Sequence, residues 1–160
     1  MRTSQALRLA RAILLLALSL AGSGCGDEVT LPAGALSSPT HQDPPMTRAA
    51  STALTFASQQ VGLPYCWGGT GPRCFDCSGL AQTAWAKAGV KLPRTADAIA
   101  ATLPPVRLEE VRPGDILWWP GHVGLYAGNG WSIEALNARS GVVIRRAATP
   151  RRAFRPAELM

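Results

Sequence analysis

Cys77, His122 and Glu134 carry the groups that covalent thiol chemistry would need. A thiol attacks a carbonyl carbon as the thiolate, which requires a base or a positive field beside it. Cys77 follows Asp76, a helix-capping residue, at the head of a helical pattern of Leu80, Ala81, Ala84, Trp85 and Ala88 that Gly89 ends. The N-terminus of a helix stabilises a thiolate. His122 opens an apolar strand pattern after Pro120-Gly121, where its ring can face a cleft; His41, the other histidine, lies in a Pro- and Ser-rich stretch and is read as inert. The competing readings are a buried inert thiol and a core histidine with its hydrogen bonds satisfied.

Glu134 lies in the following strand pattern, Trp131 to Ala135. A carboxylate there can orient an imidazole and stabilise its protonated form. Whether it reaches depends on register, because residues directly opposite in an antiparallel pair share a face. A three-residue loop, Ala127 to Asn129, sets Glu134 opposite His122, whereas a two-residue loop, Gly128-Asn129, sets Ala135 there and turns Glu134 away. A role for Glu134 therefore requires an odd loop or a bulge, and that arrangement is the expectation; the alternative is a surface carboxylate. Tyr65 and the backbone N–H of Cys77 are candidates for stabilising an oxyanion, although Tyr65 also suits plain loop packing.

The chain has four cysteines, Cys25, Cys66, Cys74 and Cys77. Cys66 and Cys74 flank a Gly- and Pro-rich loop that closes easily, and pairing them leaves Cys77 free. Two other arrangements stay open. Cys74 and Cys77 have the spacing of a redox pair, and zinc binding with His122 is conceivable, although zinc sites usually join two close Cys/His couples. The expectation is no metal and no organic cofactor.

The elements that must position these groups run from helices to strands. Ala50, Ala53, Leu54, Ala57 and Val61 share a helical face closed by Gly62; the Cys77 helix follows, and a short third helix begins near Thr95. After the turn Arg112-Pro113-Gly114-Asp115, strand patterns run over Ile116 to Trp119, His122 to Tyr126, Trp131 to Ala135 and Val142 to Arg146. Helices followed by consecutive strands with tight turns predict an α+β fold with a small antiparallel sheet. Trp67, Trp118, Trp119 and Trp131 are read as core or cleft wall.

The first 25 residues read as an export signal. Arg2, Arg8 and Arg11 precede the apolar run Ala12 to Ala21, then Gly22-Ser23-Gly24 and Cys25. That run is shorter than the roughly 20 residues of a membrane span. A cysteine at this point resembles a bacterial lipoprotein signal, in which it becomes the lipidated N-terminus, although Gly22 stands where such signals usually carry a larger aliphatic residue. Residues 26–46, rich in Pro, Ser, Gly and Thr, read as a flexible linker, and residues 47–160 as one domain. The formal charge of +6 falls to +3, 13 basic against 10 acidic residues, without the three signal arginines. That balance suits an anionic surface, and no basic stripe interleaved with aromatics points to nucleic acid. The expected location is the cell envelope, held to a membrane through the Cys25 lipid, with free secretion as the alternative; a monomer is expected.

Several blocks carry a family resemblance: Leu63-Pro64-Tyr65-Cys66-Trp67-Gly68-Gly69, Phe75-Asp76-Cys77-Ser78-Gly79-Leu80, Leu92-Pro93-Arg94-Thr95, Arg112-Pro113-Gly114-Asp115-Ile116 and His122-Val123-Gly124-Leu125-Tyr126 through Gly130. In this order the chain resembles the NlpC family of cell-wall cysteine peptidases from about Thr47 to Arg146. The resemblance implies a papain-like fold, Cys77 as nucleophile and His122 as base. It further implies cleavage of the peptidoglycan stem peptide between D-glutamate, through its side-chain carboxyl, and a diamino acid. It also implies that Tyr65 lines the site and that Asp76 and Ser78 help hold substrate or the catalytic turn; capping alone also accounts for Asp76. The third position departs from the family pattern, since a second His, an Asn or a Gln usually stands where this chain has Glu134. An amidase or acyltransferase on the same scaffold, and an inactive wall-binding module, are the competing functions.

Overall fold

A computed structural model describes residues 45–156. The expected export signal, Cys25, His41 and nearly all of the expected linker lie outside the described residues.

Three helices precede a sheet. Helix α1 spans Arg48–Gln59, α2 Cys77–Lys87 and α3 Ala96–Thr102. Each begins at a residue whose side-chain oxygen accepts a backbone N–H three positions on: Thr47 from Ala50, Asp76 from Gly79 and Thr95 from Ala98. Such caps satisfy donors that the first helical turn leaves without partners. The strands are β1 (Pro105–Val106), β2 (Ile116–Trp119), β3 (His122–Gly128), β4 (Trp131–Asn137), β5 (Gly141–Arg146) and β6 (Arg152–Phe154), with a single 3-10 turn over Leu108–Glu110. They form one sheet in the order β1-β6-β2-β3-β4-β5, and every neighbouring pair is antiparallel.

The main core lies between the helices and the sheet. Ala50, Ala53 and Ala57 of α1 and Leu80, Ala81, Ala84 and Trp85 of α2 pack with Ile116, Val123, Leu125 and Ile133. Full burial of a side chain such as Leu80 or Ile99 contributes about 1.5–3 kcal/mol. The alanine-rich faces let α1, α2 and the Arg112–Asp115 turn approach closely; a Cβ on Gly114, whose φ is +99°, would sit 2.5 Å from the Ala50 Cβ. A smaller cluster, Val111, Leu117, Tyr126 and Ala153, packs separately.

Strand β6 and the short β1 are additions to the sequence reading. Strand β6 lies between β1 and β2, pairing Phe154 with both Pro105 and Ile116. Arg155 secures its end, because Nε and Nη2 donate to the buried Asp115 at 2.9 and 2.7 Å. A bidentate pair of this kind holds orientation as well as charge.

Candidate active site

Three elements bring the candidate groups together: the start of α2, the start of β3 and the middle of β4. Cys77 is the first residue of α2, nearly buried and unbonded to another cysteine. Its sulfur is hydrogen-bonded with the His122 side chain and with the backbone of Val123. His122 Nε2 lies 2.9 Å from Glu134 Oε2, so the other ring nitrogen serves the thiol. The Trp119 ring packs 5.6 Å from the imidazole, centroid to centroid, across the β2–β3 turn.

Register explains how Glu134 reaches. Strands β3 and β4 turn through Asn129-Gly130, both at positive φ, which matches the two-residue hairpin turn favoured by Asn-Gly. Gly128 pairs with Trp131, but Tyr126 pairs with Ser132, leaving Ala127 as an extra residue. This bulge reverses the facing of every later pair. Leu125 then pairs with Ile133, and Glu134 falls opposite Gly124 on the face that carries His122. The carboxylate is therefore diagonal to the imidazole rather than directly opposite it, and it extends across the space left by the missing Gly124 side chain.

Electrostatics favour an ion pair. Burial pushes the Cys77 thiol up and nearby Asp76 adds to that, yet the His122 and Val123 hydrogen bonds and the imidazolium charge outweigh both and hold it below its usual value. Burial also opposes a charged His122, but its hydrogen bonds and charge interactions with Cys77 and Glu134 raise it to about 9. Burial raises Glu134 too; the bonds with His122 and Ser132, with the charges of His122 and Arg145, bring it below the usual carboxylate range. Two strongly coupled groups titrate as a pair, and the lowered thiol beside the raised imidazole favours a thiolate with an imidazolium.

A second network holds the loop above Cys77. Asp76 caps α2 through Oδ1, 2.6 Å from Gly79 N, and accepts from Gly68 N at 2.8 Å through Oδ2. Arg94 donates to both Asp76 oxygens, at 3.0 and 2.6 Å, and to Ser78 Oγ at 3.0 Å. Cys66 and Cys74 are joined by a disulfide within the loop. Gly79 lets α2 meet this loop, since a Cβ there would lie 2.0 Å from the Gly69 carbonyl oxygen.

These groups border a cleft of about 380 Å³ lined by Tyr65, Trp67, Asp76, Cys77, Ser78 and Arg94, among others. Tyr65 is raised above its usual value, first by burial and then by the negative charge of Cys77 and Asp76, so its phenol stays protonated. Trp67 is a rim residue, 90% exposed, whereas Trp85 is the buried tryptophan of the core. A slightly larger hollow, about 440 Å³ between Pro104, Pro105, Arg112 and Arg155, is lined by neither cysteine nor histidine.

Arg94, Gly124 and Ser132 are site residues to which sequence reading assigned no role. Arg94 sits in one of the family-like blocks, and Ser132 precedes Glu134 by one strand period, which was a usable signal.

Comparison with known proteins gives the family and the fold. The profile of the NlpC/P60 family matches residues 62–153. A probable endopeptidase of Corynebacterium glutamicum is 39% identical over 109 residues, 66% of this chain and 52% of that protein. The chain thus spans about half the length of this curated relative. Among solved structures, the peptidoglycan hydrolase RipB of Mycobacterium tuberculosis is 31% identical with a TM-score of 0.60, over 69% of this chain and 68% of that one. RipD of the same organism, a non-catalytic NlpC/p60 domain protein adapted to peptidoglycan binding, is 27% identical with a TM-score of 0.60, over 69% of this chain and 98% of that one. With its papain-like arrangement of helices on an antiparallel sheet, the chain belongs to the NlpC/P60 family.

Proposed function

We propose that this protein is an exported cysteine endopeptidase of the cell wall that hydrolyses the peptidoglycan stem peptide at the bond between D-glutamate and a diamino acid. The carrying observation is the chain Cys77–His122–Glu134 at a helix N-terminus, with Cys77 and Glu134 buried and His122 partly so, and with Cys77 opening on a cleft. The Cys77 thiolate attacks the scissile carbonyl carbon, and the oxyanion meets the Cys77 N–H, which the helix start leaves without an intrahelical partner, and the Tyr65 hydroxyl. The His122 imidazolium gives its proton to the leaving amine. Neutral His122 then takes a proton from water, whose oxygen attacks the thioester carbonyl; the carbon–sulfur bond breaks, the acyl half leaves as a carboxylic acid, and the thiolate–imidazolium pair is restored.

In this reading Asp76 and Ser78 shape the cleft wall under the grip of Arg94, and the Cys66–Cys74 bond keeps Tyr65 and Trp67 beside the nucleophile. The N-terminal signal directs export, and lipid on Cys25 holds the domain at a membrane. The name of RipB, a peptidoglycan hydrolase, and those of the probable endopeptidases support the substrate class.

RipD shows that this fold also serves binding without catalysis. A free Cys77 hydrogen-bonded with His122 favours the catalytic reading here. The deciding experiment is mass spectrometry of peptidoglycan fragments incubated with the protein and with Cys77→Ala. New stem-peptide ends made only by the unsubstituted protein establish the activity and identify the bond. Intact fragments beside a reduced, alkylatable Cys77 point instead to another acyl substrate or to wall binding.

A further inference from the structure

We propose that Ser132 is a positioning residue for the reacting pair: its buried hydroxyl holds Glu134 so that one carboxylate oxygen faces His122. Ser132 Oγ donates to Glu134 Oε1 at 2.5 Å, while Oε2 of the same carboxylate lies 2.9 Å from His122 Nε2. Ser132 is fully buried and Glu134 almost so. A buried carboxylate has several acceptor sites to satisfy, and an unmade bond there costs about 1–3 kcal/mol.

Geometry gives Ser132 this role. Residues two apart on a strand share a face, so Ser132 and Glu134 both point to the side of His122. The strand fixes one end of the carboxylate through Ser132, and the gap at Gly124 receives its stem. Glu134 is a flexible side chain with rotamers that turn its oxygens away from the ring; the hydroxyl removes that freedom. A donor on Oε1 also favours the ionised carboxylate, the form that supports an imidazolium.

The charged and titratable neighbours are few. Glu134 feels His122 and Arg145; His122 feels Cys77 and Glu134; Cys77 feels His122, Asp76, Tyr65 and Arg94. Loss of the Ser132 hydroxyl acts first on Glu134, loosening it and raising its affinity for a proton. The imidazolium then loses support, and its titration moves down from about 9 toward the ordinary histidine range.

The inference rests on Cys77 and His122 as the reacting pair, and its test needs no substrate, so the search for the cleaved bond succeeds or fails separately. The imidazole of His122 is titrated by NMR in the full chain, with His41→Gln separating the two histidines, and the rate of Cys77 alkylation is followed against pH by peptide mass spectrometry. Ser132→Ala is expected to lower the His122 midpoint by about one unit, a tenfold change in its acid constant. It is also expected to move the alkaline edge of the ion-pair range seen in Cys77 alkylation in the same direction. Ser132→Thr, which keeps the hydroxyl, is expected to restore the midpoint; Ser132→Cys, which keeps the volume but donates weakly, is expected to behave like alanine and replaces it where alanine melts too low. In a Glu134→Gln background Ser132→Ala should add no further shift. The proposal is overturned by an unmoved His122 midpoint in both the alanine and cysteine variants, or by an equal shift with Glu134 already replaced.

Discussion

Gly124 and Glu134 occupy one space: a Cβ on Gly124 would sit 2.6 Å from the Glu134 Cγ. Glycine at this point owes nothing to an unusual backbone, since Gly124 is not among the glycines of positive φ. Its part is to be absent, so that the carboxylate of β4 can cross to the imidazole of β3. Gly124→Ala therefore pushes Glu134 off His122. The expected result is a fall in kcat/KM of about ten- to a hundredfold, equivalent to losing one charge-assisted hydrogen bond, with about 1–3 kcal/mol of stability lost to overpacking. Combining it with Glu134→Gln should give less than the sum of the two effects. Full additivity in steady-state rates would show that Gly124 acts elsewhere.

The pH dependence follows from His122. Its folded value, about 9, lies above the roughly 6.5 of an unfolded histidine. The interactions that raise it stabilise the fold fully below the unfolded value, and this contribution is lost as pH rises through about 9. In the proposed mechanism activity needs the imidazolium as well, so kcat/KM should fall on an alkaline limb near pH 9. Glu134→Gln removes the carboxylate and should move that limb to lower pH. Rates measured from pH 5 to 10 test this, and a limb unmoved in Glu134→Gln would sink the coupling between the two residues.

Much of this geometry was legible in the chain. The three helices start where Thr47, Asp76 and Thr95 offer side-chain caps, and these are local signals. The facing of Glu134 was legible only as a condition, because one extra residue in the hairpin turns the strand over; the bulge at Ala127 supplies it. Strand β6 was not legible. Its apolar Ala153 and Phe154 lie among arginines, and it becomes a strand by pairing with β1 and β2, which are distant in sequence. Trp67 reads as core or cleft wall; it is no part of the core, being almost wholly exposed, but it does line the cleft.

Asp76 has two separable duties. Asp76→Asn keeps an oxygen for the α2 cap and loses the ion pair with Arg94. Its carboxyl is held low because the Arg94 and backbone hydrogen bonds outweigh burial, so its contribution to stability is present above the unfolded carboxylate range and lost on acidification. The asparagine variant should therefore be less stable at neutral pH but lose less stability than the parent toward acid. Asp76→Ala should cost about 0.5–2 kcal/mol more through the missing cap. Chemical denaturation at neutral and acidic pH separates the two, and equal pH sensitivity of Asp76→Asn and the parent would count against the ion pair.

The loop bond offers a final separation of stability from chemistry. Cys66 and Cys74 are eight positions apart, and a loop this short constrains the unfolded chain by about 2–3 kcal/mol in the chain-entropy view. The loop also carries Tyr65, Trp67 and the Gly68 N–H that donates to Asp76. Replacing both cysteines by serine should thus lower the melting temperature and, where the protein is still fully folded, raise KM more than it lowers kcat. The Cys77–His122–Glu134 chain is built on α2, β3 and β4, outside the loop, so the alkaline limb of the pH profile should stay where it is. A shift in that limb would mean that the disulfide positions the reacting pair itself rather than the wall of the cleft.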